Sequence, residues 1–245
     1  MFRLLIAIAL CPLSGALLWV SAKTLAGVTL SSSSSSAFIA GVGIVFASWV
    51  ILRYLIVEPI RPVVWMGRIA RWSYVLGHEM THALATWATG GSVYAISVGE
   101  EDGHVDLSHS NAFVALAPYC VPFYALFVVV AYRLLLWMKP EIGGEALFLL
   151  LMGAALSAHL LFTWDALTQV RQPDLDAAGG VVFSWVWIAA ANALMIMLVL
   201  KGLFPESVSL LLRLREAVML AAGFWSRVWL WSRPMMESAW RRALA

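Results

Sequence analysis

Long apolar runs alternate along this chain with short polar breaks, and the breaks define the predicted elements. Apolar spans are expected near 4–28, 37–57, 67–89, 112–138, 145–168 and 180–203. Each is long enough to cross a bilayer, whose hydrocarbon takes about 20 helical residues. The first run, Leu4 to Val20, follows Arg3 and ends at the small pair Ser21-Ala22, a pattern a signal peptide also shows; its length and Pro12 favour a retained span. Ser31 to Ser36 is a tract of serines with no packing capacity, read as a flexible loop. Gly90-Gly91 stops the third run, and the alternation in VYAISVGEEDGHVDL after it predicts a short β-hairpin. From Glu206 to Ala245, Leu, Trp and Met alternate with Arg213, Arg215, Arg227, Arg233, Arg241 and Arg242, as in an amphipathic helix at the membrane surface. A seventh span is the other reading of this segment, because Ala217 to Trp231 is apolar enough to insert.

The expected fold is therefore an all-α polytopic membrane protein of about six transmembrane helices, with a short membrane-associated β-hairpin after the third. Its divisions are N-terminal helices with the Ser-rich loop (1–62), a membrane-embedded core (63–203) and a basic amphipathic C-terminal helix (204–245). Composition excludes an ordinary soluble domain: 62% of residues are hydrophobic, 12% are charged, and the mean hydropathy is +0.86. The net charge of +2 is small and dispersed, so nucleic acid is not expected as a partner; the lipid bilayer is. Cys11 and Cys120 lie in apolar runs without a C-x-x-C partner and say little about redox compartment. Tryptophans such as Trp19, Trp49, Trp65, Trp72 and Trp137 fall near span ends, as an interfacial belt does.

With six alternating crossings, Arg53, Arg61, Arg68, Arg71, Arg133, Lys139, Lys201 and the terminal arginines share one face, and the opposite loops hold Lys23 and Arg171. Basic residues stay in the cytoplasm, so both termini are expected there. The same arrangement puts residues 78–82 toward the outer half of their helix and Asp174 and Asp176 in an outer connection.

Candidate chemistry sits in the third span, where residues 78 to 82 read His-Glu-Met-Thr-His. In a helix, positions four apart share a face, so His78 and His82 can aim imidazole nitrogens at one ion. Glu79 then stands beside the ion's open position, placed to take a proton from water. An H-E-x-x-H signature of this kind points to a zinc hydrolase, here inside a membrane. A carboxyl group among apolar neighbours costs about 2.5 to 3.5 kcal/mol without a partner, and an ion supplies the compensation.

The stretch GHEMTHALATWATGGSVYAISVGEEDGHV, with ALAPY at 115–119, resembles the site-2 protease family of intramembrane zinc metalloproteases. The likeness lies in the motif helix, the double glycine, the following β segment and a small-residue proline motif at the next span. It implies zinc held by His78, His82 and a distant Asp, with Glu79 as general base and later proton donor. It also implies a membrane-protein substrate, cut in a transmembrane or membrane-adjacent segment that is locally unwound. A bacterial inner (cell) membrane is the expected location.

The family's third ligand is an Asp followed by Gly near the start of a later span; here the comparable stretch is RQPDLDAAGG, residues 171–180. Either Asp174 or Asp176 can close the site. Asp174 follows Pro173 at an N-cap-like position, whereas Asp176 keeps a Leu-Asp pair but is followed by Ala177. Capping or pairing with Arg171 is the bland role for both. Asp165 stands in reserve, since an acid in an apolar run has a function or a cationic partner. His159, six residues before it, lies about 240° away around the helix and cannot join it at one ion. His104, Asp106 and His109 read as solvated loop residues.

The functional expectation is an intramembrane zinc endopeptidase. The alternative is a noncatalytic membrane scaffold or assembly factor with a protease-like core, and an ion transporter ranks behind both, as only one helix concentrates ligands. No polar insertion large enough for a recognition module lies between the spans, so substrate choice falls to the membrane core, the hairpin or a regulatory membrane protein.

Overall fold

The computed structural model describes residues 2–31, 35–55, 61–99, 102–169 and 171–243. In chain order these form α1 (Phe2–Ser31), α2 (Ser35–Val50) with a widened π turn (Ile51–Leu55), α3 (Arg61–Ala88), β1 (Val93–Val98), β2 (Gly103–Leu107), α4 (Ala112–Cys120) and α5 (Phe123–Met138). After a 3₁₀ turn (Pro140–Ile142) come α6 (Glu145–Gln169), α7 (Pro173–Ala178), α8 (Val181–Leu203) and α9 (Leu210–Ala243). The middle of the serine tract, expected as a flexible loop, lies outside the described residues.

Among the described residues, four helices are long and apolar enough to cross a membrane: α1, α2, α6 and α8. A fifth candidate is α4 with α5, a pair bent by 69° at the break between them. This is the construction of a helical membrane protein, with one two-stranded antiparallel sheet. The third expected span, α3, does not qualify on apolarity, because Arg61, Arg68, Arg71, His78, Glu79 and His82 interrupt its hydrophobic run. The hairpin expected after the double glycine is present.

The chain divides into two compact units, Met1–Val28 with Trp185–Ala245, and Thr29–Ser184. In the first, Ala16, Leu17 and Val20 of α1 pack with Ala193 and Met197 of α8 and with Ala217 and Ala221 of α9. Small residues at these crossings let helix backbones approach closely, which favours dispersion contacts. Lys23 pairs with Glu216 at 2.7 Å across α1 and α9.

The second unit holds the candidate chemistry, and its frame is the pair α2 and α6. Gly41 and Gly153 bring these two backbones together: a Cβ on Gly41 would stand 2.0 Å from the Leu150 carbonyl oxygen, and one on Gly153 2.0 Å from that of Phe38. Further along, Ser157 donates to the Val42 carbonyl, and Asp165 meets both Trp49 (2.7 Å) and Arg53 (3.2 Å). Residue numbers rise together on both helices, so α2 and α6 run parallel. Six alternating crossings would have these two helices antiparallel, whereas the contacts among the described residues make them parallel.

Helix α3 stops where glycine permits it. Gly90 adopts φ +78, its N–H bonds the Trp87 carbonyl, and the Gly91 N–H reaches back to Thr86. Those bonds cap the orphan carbonyls of the last turn, a left-handed conformation that costs glycine no Cβ clash. The chain then returns along α3 twice, first as the hairpin and then as α4. Ala85 packs with Val114 and Ala117, His78 against Tyr119, and the Tyr124 hydroxyl donates to the Ser73 carbonyl. Asn111 starts α4 by accepting the Val114 N–H at 3.0 Å.

Candidate metal centre

His78 and His82, one turn apart on α3, both turn their Nε2 atoms toward a single oxygen of Asp174, at 3.4 and 3.5 Å. The three candidate donor atoms all lie within 4.8 Å of one another. Asp174 arrives from α7, where Pro173 takes the first helical position, with φ already helical and no N–H to leave unpaired. The Gln172 side chain holds the approach by donating to the Ala166 carbonyl at 3.0 Å. Of the three carboxylates considered from the sequence, Asp174 alone meets the histidines. Asp176 faces away and pairs with Arg171 at 2.8 Å, both well exposed. Asp165 belongs to the α2–α6 contact with Arg53 and Trp49. His159 lines a small second cavity together with His78, Gly77 and Phe162, and is not one of the three donors.

The protonation pattern of His82 is legible from its partner. Its Nδ1 lies 2.9 Å from the Val114 carbonyl, which can only accept, so Nδ1 carries a proton. That carbonyl is available because Pro118, four residues on within α4, has no N–H to offer it. A neutral His82 then presents a bare lone pair at Nε2 to a carboxylate oxygen, and two acceptors facing each other repel. A cation between them, a proton or a metal ion, resolves the conflict. The Nδ1 of His78, in contrast, is buried with no hydrogen-bond partner among the described residues. Its ring is held by packing between Tyr74, His82 and Tyr119 and by whatever binds Nε2.

Burial works to raise the Asp174 carboxyl, but when the His78 and His82 rings are protonated their hydrogen bonding and charge outweigh it and hold Asp174 well below the usual carboxylate range. The Tyr119 hydroxyl lies 3.0 Å from Asp174 Oδ2 and 3.2 Å from Gln172 Oε1, two acceptors competing for its one proton. Tyr119 is fully buried, so its position is fixed. The two histidine–aspartate edges also suit a metal. Tetrahedral zinc with bonds of ~2.05 Å has ligand–ligand edges of about 3.3 Å, close to the 3.4 and 3.5 Å seen here. Two imidazoles and one carboxylate are a set for a first-row transition ion, with a position left for water or substrate.

These groups line a cavity of about 700 Å³ between α3, the hairpin and the α7 approach, and Glu79 lies in its wall. Gly103 begins β2 directly over Glu79, where a Cβ would fall 2.7 Å from the carboxylate and 2.6 Å from Val75. Every residue from Asp102 to Leu107 lines the cavity, so it runs along an edge of β2 and not along one face. Pairing explains which backbone groups meet it. Ser97 opposes His104 and Ala95 opposes Asp106, while the Gly99 N–H bonds the Asp102 carbonyl and the Ser108 N–H bonds that of Ser92. Hydrogen-bonded pairs alternate in antiparallel sheet, which leaves the N–H and C=O groups of Gly103, Val105 and Leu107 directed outward. His104 and Asp106 sit at the rim, bonded to each other at 2.6 Å, exposed but on a strand and not in a loop.

Sequence reading missed Tyr119 and the Pro118–Val114–His82 relay. A signal for the relay was present, since a proline inside a helix always frees the carbonyl one turn earlier. Comparison with protein-family models, with curated proteins and with solved structures finds no match to this chain, so residues and geometry alone speak for the site.

Proposed function

We propose that the chain is a zinc endopeptidase of the membrane, similar in mechanism to the site-2 proteases, that cuts a transmembrane or membrane-adjacent segment of another membrane protein. The observation that supports it most is the convergence of both motif imidazoles on one Asp174 oxygen, in the wall of a cavity that also holds Glu79. His78, His82 and Asp174 would hold the ion. Zinc, when bound, supplies Lewis acidity toward a scissile carbonyl and makes nearby water easier to deprotonate. Glu79 accepts the proton of the attacking water and returns it to the leaving amine. Gly103 keeps room over that carboxylate. The outward groups of Gly103, Val105 and Leu107 pair with an extended peptide, which a helical substrate segment becomes once it gives up its own hydrogen bonds.

Zinc content of the purified chain in detergent tests this reading. One zinc per chain is expected, lost in His78→Ala and in Asp174→Ala and kept in Asp176→Ala. Glu79→Gln should keep the metal and lose peptide cleavage by roughly 10²- to 10⁴-fold, the usual weight of a general base. Cleavage at the unaltered rate by a folded Glu79→Gln protein sinks the base assignment. A folded, zinc-free chain after reconstitution favours the noncatalytic scaffold instead.

A further inference from the structure

Each crossing of a bilayer moves a chain to the other face, so helix directions count crossings. Helix α2 runs parallel to α6, as the sequence of contacts from Phe38–Gly153 to Arg53–Asp165 requires. Helix α5 runs antiparallel to α6: Tyr132 stacks on Phe148 near the turn between them, while Phe123 shares a cavity with Ala155 and His159. The chain therefore leaves α2 and enters α5 on the same face. Everything between, namely α3, the hairpin and α4, makes no net crossing.

Two independent features agree. Arg61, Arg68 and Arg71, with Trp65 and Trp72, occupy the first half of α3, a composition suited to a membrane surface and not to its interior. Helix α4 has nine residues, about half of what a crossing takes, and its axis departs from that of α5 by 69°. Helix α6 ends on the same face as α2, and α7, carrying Asp174, follows at once. Both parts of the donor set thus belong to one side.

We infer that the cavity opens to one face of the membrane only, the face at which α2 and α6 end, and that a peptide reaches it from that face, opposite to the Pro140–Ile142 turn. The first clause stands on helix directions, the composition of α3 and the place of Asp174 after α6; the second rests on the proposed peptidase reading.

Single-cysteine labelling decides it without recourse to metal or activity. In a Cys11→Ala, Cys120→Ala background, Arg71→Cys, Asp106→Cys and Glu141→Cys are treated with a membrane-impermeant maleimide in sealed vesicles of both orientations. All three positions are exposed. Labelling of Arg71→Cys and Asp106→Cys from one side, with Glu141→Cys labelled only from the other, is the expected result. Six alternating crossings place positions 71 and 141 together and 106 opposite, and that outcome overturns the inference. Labelling of all three from one side overturns it as well, since α5 would then not cross. Where a variant fails to fold or react, Arg68→Cys replaces the first and Asp102→Cys the second. Loss of zinc binding would end the peptidase reading and leave this labelling pattern unchanged.

Discussion

Replacing Pro118 by alanine would give α4 back an N–H aimed at the Val114 carbonyl, the acceptor that now fixes the His82 ring. The two donors would compete, and His82 would lose its tautomer as well as its orientation. Hydrogen bonds of this kind behind a metal ligand are worth roughly 10- to 100-fold in affinity. Pro118→Ala is expected to weaken zinc binding by roughly 10-fold, with helix content unchanged, as read by competition against a chelating dye. An unaltered affinity would show that packing alone orients the ring. At this scale the sequence was uneven in what it disclosed. Spacing was enough for His78, Glu79 and His82, because a helix converts four residues of separation into one face. The choice between Asp174 and Asp176 could not be read locally. It turns on a Tyr119 hydroxyl 55 residues away and on Arg171, which draws Asp176 outward.

Between elements, the α2–α6 contact shows how two glycines can set direction. Both would-be Cβ positions meet a backbone carbonyl oxygen, which has no rotamer by which to yield, so only glycine permits this approach. Gly153→Leu should force the helices apart and destabilise the fold by about 1 to 3 kcal/mol, the usual cost of overpacking. Thermal unfolding in detergent measures this, and a melting temperature equal to that of the unaltered chain would contradict the contact. Parallel packing was not legible in the sequence because its determinants are more than 100 residues apart: Gly41 with Gly153, and Arg53 with Asp165. An isolated Asp165 in an apolar run looked like a reserve ligand; its partner arginine became visible only with the fold. Helix α3 differs for a related reason: its length matches a span, but its arginines and motif residues leave it less apolar than the four spanning candidates.

At the scale of the whole molecule, the candidate donors come from two stretches of chain with different support. His78 and His82 stand in a 28-residue helix covered by the hairpin and α4. Asp174 stands in a six-residue helix that ends at Gly179 and Gly180, with φ of 129 and 101. A helix this short has little stability of its own, and its position depends on what it docks against. Metal binding to the folded form adds RT ln(1 + [L]/Kd) to that docking. Hydrogen exchange should show residues 174–178 protected in the zinc-loaded chain and several-fold faster after chelation, while α6 is unaffected; equal protection in both states would show the segment docked without metal. If the ion acts as a clasp in this way, metal scarcity does more than idle the site. An undocked 171–180 segment is an exposed, glycine-ended stretch of the sort that quality-control proteases seize. Zinc supply would then govern how long the protein survives, and a zinc-starved cell would clear idle copies instead of storing them.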